Sequence, residues 1–508
     1  MRSKSILLLA LAGGSLLLAQ SGGGSGQQSR AQQVPISGRQ SQQSGSVTVE
    51  QSTAGGGSSS VNTSTTQVQV QGSYAGSVPS DATLSGAMTL EQAIQMGLRY
   101  NLGTVSASAS LRQVRAQRLS ALSQLLPMIS GSVSETGAKT DLQTLGLSSG
   151  AFGGGLPLPK IVGPYHYYDA RTSLNFNVLD MTARYNYRSA KELEQAAELS
   201  DADARELVVL AVSGSYLKLL ADAALIDAQQ AQVRYAQSSR DQAVAQNQAG
   251  TKSSVDAERS QVELQTEQQR LTSQQADLIK DKRTLARTIG LRLDADIVPS
   301  EKLSYAVAPP VPLDEALKQA YGTRADLKAA AAQLRAAEES LKAAHAEHLP
   351  SVNVNGYFAV QGVNPNSGNG VFSGTASLNI PIWQGGRIRA DEEQAQAAID
   401  QRRAEYQDER GSVELDIRNA YTDFETATNQ VQVAQSNQAL ALQTLQQSQD
   451  RFRAGVATSV EVVQSQESLA AADRDYVNSL YAHNLAKISL ARALGQAENN
   501  IPKFLKGN

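Results

Sequence analysis

Residues 451–469 read RFRAGVATSVEVVQSQESL. A run with helical spacing stops at Gly455, and a second begins within a few residues, so the two must lie side by side, antiparallel. Upstream of the turn, Val413, Ile417, Ala420, Phe424, Ala427 and Val431 open a series that alternates spacings of four and three as far as Leu445, Ser448 and Phe452. That is a heptad seam, the mark of coiled-coil packing, and its alanines let neighbouring backbones approach closely. The pattern resumes beyond the turn through Leu469, Ala472, Tyr476, Ser479, His483, Ala486, Leu490 and Ala493. At about 1.5 Å per residue, the run from about 386 to 452 predicts a helix of roughly 100 Å, and 182–247 predicts a similar one.

The whole arrangement occurs twice. TLEQAIQMGLRYNL (89–102) opens one copy and PLDEALKQAYGTRADL (312–327) the other. Each copy then runs through a helical stretch to a Leu-Pro stop, at Leu126-Pro127 and Leu349-Pro350. Further on, Tyr216 matches Tyr421, Gly250 matches Gly455, Asp256 matches Glu461 and Gly290 matches Gly495, at a constant offset of about 205. Register kept over such a span predicts an internal duplication, 88–300 and 301–497, with each copy reading helix–strand–strand–helix–helix.

The strands are expected at about 128–136, 170–179, 351–361 and 374–383. Leu174, Phe176 and Val178 alternate with Ser173, Asn175 and Asn177, and Leu378 and Ile380 alternate with Ser377 and Asn379. Strands of this length with one apolar and one small-polar face suit a membrane barrel, although a half-buried soluble sheet alternates in the same way. Four strands cannot close a barrel, since the smallest have about eight, so a spanning chain must oligomerise.

The 508-residue chain is 41% hydrophobic and only 5% aromatic, which is thin for a conventional core of that size and fits long helices with narrow seams. Its formal net charge is −3, and no basic patch is interleaved with aromatics, which argues against a nucleic-acid partner. It has no cysteine, which excludes disulfides, Cys-ligated zinc and a lipidated N-terminal Cys. The first residues, MRSKSILLLALAGGSLLLAQ, place Arg2 and Lys4 before a short apolar run and predict a signal peptide over 1–19. Residues 20–87, rich in Gly, Ser, Gln and Thr, are expected to be a disordered low-complexity segment, and 498–508 a C-terminal tail. No later stretch reaches the roughly 18 consecutive apolar residues of a spanning helix, so membrane crossing falls to a β-barrel.

In TLEQAI, the two Leu-Pro stops, IPIWQGGRIRA (380–390) and RFRAGVATSVEVVQSQESL…LARALG, the chain over about 88–497 resembles the TolC-type family of outer-membrane efflux proteins. The first copy departs from that pattern, with Met181-Thr182 where the second has Gly385-Gly386. The resemblance implies an α+β membrane protein. Three chains of four strands each would form one 12-stranded β-barrel in the outer membrane, continued by a long α-helical coiled-coil tunnel through the periplasm. The short helices near 89–101 and 312–322 would form an equatorial belt. The loops 137–167 and 361–374 would face the exterior, with Tyr165, Tyr167 and Tyr168 as membrane-interface aromatics.

The resemblance also implies roles for the tips. Ala249, Gly250, Ser254, Ala454, Gly455, Val456 and Ser459 would dock a periplasmic adaptor (membrane fusion) protein, itself joined to an inner-membrane transporter. Glu461, Gln464 and Asp256 would form the periplasmic gate. Gln464 stands where a second acid is often found, and Ala457 stands where a basic residue is. The implied function is a passive exit channel of a tripartite efflux pump or type I secretion system. The alternative is a periplasmic or surface coiled-coil structural protein without a channel. His345 and His348 share a helical face, but no third ligand completes a metal site nearby. No phosphate loop or nucleophile motif occurs, so neither a cofactor nor an enzymatic activity is expected.

Overall fold

A computed structural model describes residues 30, 46–53, 64–79, 86–145, 159–251, 253–306 and 312–498. The expected signal peptide, most of 20–87, part of the first long loop and most of the C-terminal tail lie outside the described residues. The chain divides into two units, one of 1–31, 121–185 and 342–390, the other of 32–120, 186–341 and 391–508.

The first unit holds a four-stranded antiparallel sheet. Its strands are β3 (Met128–Asp141), β4 (Ile161–Leu179), β5 (Ser351–Gly362) and β6 (Asn369–Asn379), paired in the order β3-β4-β5-β6. Pairing sets Ile129 opposite Leu174, Thr172 opposite Phe358, and Phe358 opposite Phe372. One face therefore collects Ile129, Val133, Phe176, Val354, Phe358 and Phe372. The other collects Ser132, Ser173, Asn175, Asn353, Asn355 and Ser377. On this polar face Asn353 Nδ2 donates to Asn175 Oδ1 at 3.0 Å and to Asn177 Oδ1 at 2.6 Å. The apolar face is open in the single chain, with Phe372 85% and Phe358 58% exposed. Beyond the sheet, Arg387 pairs with the buried Glu347 at 2.6 Å, which explains the arginine of the QGGR stretch.

Two strand expectations are corrected. β3 and β4 run further than predicted, so Tyr165, Tyr167 and Tyr168 lie in a strand and not in an exterior loop. The two-residue period then splits them. Tyr165 and Tyr167 share the polar face with Asp169, whereas Tyr168 shares the apolar face with Leu174 and Phe176. β6 is shifted along the chain, starting at Asn369 before the predicted 374 and stopping at Asn379 short of the predicted 383.

The second unit is mostly helical, and the helices of the chain come in pairs of nearly equal length. α1 (Leu90–Tyr100) and α5 (Leu313–Thr323) have 11 residues each, and α2 (Leu102–Ser123) and α6 (Ala325–Ala346) have 22 each. α3 (Met181–Gln248) has 68 and α7 (Arg387–Arg453) has 67, while α4 (Ser254–Ile289) has 36 and α8 (Ser459–Ala493) has 35. α1 starts on a capping box, with Thr89 and Gln92 satisfying each other's backbone N–H. The heptad reading holds in detail: Val413, Ile417, Phe424, Val431, Leu445 and Phe452 are all buried. The apolar stretch of α3 around Val208–Val212 is long enough by composition to cross a membrane, but it is mostly buried, against α1, α4 and α8.

Part of the segment expected to be disordered is ordered. β1 (Val47–Thr53) and β2 (Ser64–Val70) pair as an antiparallel hairpin, and a 3-10 turn follows at Gly72–Ala75. Val47 and Tyr74 enter the helical core. Val68 sits in the notch left by Gly214 on α3, where an added Cβ would lie 2.3 Å from a valine methyl. The few apolar residues of this segment are thus used on a surface that the rest of the chain supplies, which composition cannot reveal.

Where the two helix sets meet, the second unit holds a buried ionic knot. Arg492 of α8 pairs with Asp203 and, at 3.1 Å, with Glu206, both on α3. Arg324, between α5 and α6, holds Asp326 at 2.5 Å and Asp416 at 2.8 Å. Burial pushes the Glu206 carboxyl up to about 7, against the pull of Arg492. The folded chain therefore keeps a proton on Glu206 that the unfolded chain releases above its ordinary value of 4.5. Stability contributed here is present at low pH and is lost as pH rises from about 4.5 through about 7. Glu206→Gln is expected to flatten that decline in a series of thermal melts followed by helical circular dichroism. A slope equal to that of the wild type would remove Glu206 as its source.

Candidate functional site

The two turns between long helices are built alike. At the α7–α8 turn, Val456 N–H reaches the Arg451 carbonyl at 3.0 Å and Gly455 N–H reaches that of Phe452 at 3.1 Å. At the α3–α4 turn, Thr251 and Gly250 do the same to Gln246 and Asn247, at 3.0 and 2.9 Å. This is the Schellman closure, which needs a left-handed residue. Gly455 at φ +79° and Gly250 at φ +69° supply it. Nothing lies within 4 Å of where either Cβ would be, so the glycines serve the backbone and leave the surface small. Thr458 and Ser253 then cap the next helices, accepting from Glu461 N–H and Val255 N–H.

Of the residues expected to dock a partner, Ala249, Gly250, Ser254, Ala454 and Gly455 are exposed, and Val456 projects with 69% of its surface open. Ala457 turns inward and joins Phe452, Leu445, Val462 and Leu469 in a small core under the tip, with Tyr235 of α3 against it. Ser459 is half-buried and donates its hydroxyl to Asp256 Oδ1 at 2.7 Å. The first turns of α4 and α8 are thereby tied together.

Asp256 and Glu461 occupy equivalent places, each the third residue of its helix, where a carboxylate is favoured by the helix dipole. The structure does not bring them together. Asp256 meets Ser459, and Glu461 meets Arg451 across its own turn at 3.6 Å. Gln464 lies exposed one turn further along α8, its carbonyl accepting from Ser468. Three participants were not expected from sequence. Arg451 is ten residues before Glu461 and meets it only because the turn folds back. Ser459 acts as a crosslink as well as a tip residue. Asp473 accepts from Gln232 of α3 at 3.1 Å and Gln438 of α7 at 2.8 Å, joining three helices above the tip.

The seam histidine, His483, is fully buried between Tyr305 and Phe424. Burial lowers its pKa and that of Lys487 one turn on, and Lys487 donates to the Ala306 carbonyl at 2.5 Å. Both therefore hold the segment between the two helix sets against α8. Among the described residues no cluster of three or more His, Cys, Asp or Glu is arranged to hold a metal ion.

Residues 94–291 and 316–496 match the family profile described as outer membrane efflux protein. The chain belongs to the outer membrane efflux protein family. It is 25% identical over 358 residues to the toluene efflux pump outer membrane protein TtgF of Pseudomonas putida, covering 66% of this chain and 70% of that one. It is 26% identical over 435 residues to the pyoverdine export outer membrane protein OpmQ of the same species, covering 80% and 85%. Its fold matches the crystal structure of the Campylobacter jejuni CmeC outer membrane channel with a TM-score of 0.71 at 17% identity, over 85% of this chain and 95% of that one. The chain is thus an outer-membrane component of an efflux pump, and the non-channel alternative is set aside.

Proposed function

We propose that three copies of the chain form one exit channel. Three sheets of four strands make a twelve-stranded barrel, and the paired α3–α4 and α7–α8 hairpins of each chain continue it as a tunnel in the periplasm. The observation that carries this reading is the open apolar face of the β3–β6 sheet, whose end strands β3 and β6 each pair on one side only among the described residues. Such a face needs lipid, and such edges need further strands. The equal element lengths of the two helix sets support an origin by internal duplication. Tyr168 on the apolar face, and Trp383 just past β6 with 86% of its surface open, are the interface aromatics of this arrangement. The mass of the detergent-extracted protein tests it. A trimer is expected, and a monomer extracted without detergent would overturn it.

At the other end, the small exposed tips dock a periplasmic adaptor, which joins the channel to an inner-membrane transporter. Absent side chains at Gly250 and Gly455 let a partner helix pack closely. Asp256–Ser459 and Glu461–Arg451 hold the tips closed until the adaptor binds. The cargo class is that of the transporter, since the named relatives serve cargoes as different as toluene and pyoverdine.

Because the chain has no cysteine of its own, a Val456→Cys variant carries one reactive thiol. Thiol crosslinking in cells is expected to join it to the adaptor, identified by mass spectrometry. Gly455→Leu in the same chain costs about 1–2 kcal/mol of backbone strain at an open turn, leaves the trimer intact, and is expected to abolish the adduct. An adduct unaffected by that leucine would count against docking at the tips.

A further inference from the structure

We propose that Asp169 and Arg171 form a charge-balanced selectivity ring inside the barrel. The proposal rests on the trimeric barrel reading above. Both residues lie on the polar face of β4, the face that a membrane barrel turns inward. Along the paired rows of that face, 128–138, 165–177, 353–361 and 369–379, every other inward position is neutral, so these two carry all of its charge.

The cluster is tightly built. Arg171 Nη2 donates to Asp169 Oδ2 at 2.6 Å, and Gln361 Nε2, opposite Asp169 on β5, donates to the same oxygen at 3.0 Å. The guanidinium carbon of Arg171 lies 4.2 Å from the centre of the Tyr357 ring. Opposite Arg171 stand Ser132 on β3 and Ala359 on β5, small residues that leave room for the guanidinium between its two anchors. Arg171 is thereby held along the wall and not extended into the lumen. Asp169 is only 8% exposed, yet its Oδ1 has no hydrogen-bond partner among the described residues. The ring thus keeps an unused acceptor beside a half-open guanidinium.

Repeated three times at one level, the pairs cancel, and the barrel wall there favours neither sign of permeant. This suits a channel whose cargo is chosen elsewhere. Removing one partner uncovers three like charges at that level, where focused fields alter local ion concentrations strongly.

The test is the reversal potential of purified trimers in planar bilayers under a potassium chloride gradient. Arg171→Gln is expected to raise the potassium-to-chloride permeability ratio by about threefold or more, and Asp169→Asn to lower it by a similar factor. The double variant is expected to return to the wild-type ratio, and Arg171→Lys to keep it. Conducting trimers of both single variants with unchanged reversal potentials would overturn the ring and leave the barrel standing. Trimers that fail to conduct both as wild type and with the tip contact removed by Asp256→Ala would overturn the barrel reading itself.

Discussion

Replacing Asp256 by alanine is expected to raise the single-channel conductance several-fold, and adding Glu461→Ala to raise it further. The order follows from the two contacts. The Ser459 hydroxyl donates to a half-buried carboxylate at 2.7 Å, joining two separate hairpins. A hydrogen bond to a charged acceptor of this kind contributes about 1.5–3 kcal/mol, and a trimer holds it three times. Glu461 and Arg451 are more exposed, are 3.6 Å apart, and sit within one hairpin. An exposed pair of that sort adds little and weakens in salt. Asp256→Ala should therefore open the tip more than Glu461→Ala does, and Ser459→Ala should reproduce most of the Asp256 effect. Wild-type conductance in all three variants would show that the closed end is held elsewhere.

The second large effect is expected at the sheet. Phe358 lies on the apolar face, opposite Phe372 on β6 and Thr172 on β4. Arginine on a lipid-facing strand costs about 2–4 kcal/mol at the bilayer midplane. In the proposed barrel of three chains the substitution would be carried three times, so Phe358→Arg is expected to abolish assembled trimer in outer-membrane fractions. Asn355→Arg, on the polar face of the same strand, should leave assembly largely intact. The contrast separates lipid exposure from general damage to the strand. Equal loss in both variants, or in neither, would mean that the apolar face does not meet lipid.

The long elements were legible because their signals repeat. The seam from Val413 to Phe452 states its period many times over, and each of its large apolar residues is buried. The tip glycines were legible for the same reason, since Gly250 and Gly455 mark equivalent places in a repeated pattern. What sequence did not show depends on a partner brought from far away. The β1–β2 hairpin orders because Val68 finds the notch at Gly214, 146 positions on. Asp256 and Ser459, 203 apart, meet only because two hairpins pack side by side. The sequence set Glu461, Gln464 and Asp256 together as a gate, and the packing adds their partners, Ser459 for Asp256 and Arg451 for Glu461. The loop placement of PYHYY failed for a more local reason. A run of aromatics before a strand reads as a loop, but here the strand had already begun, and strand period sends neighbours to opposite faces.

In the proposed assembly this chain closes a conducting pore only as a trimer, with its helical tips nearly shut. Purified protein of known mass in a planar bilayer tests it directly. The expected result is that detergent-extracted trimers insert, conduct weakly, and conduct several-fold more when Asp256 is replaced by alanine. A monomer that stays soluble without detergent and passes no current, with or without that substitution, would contradict it.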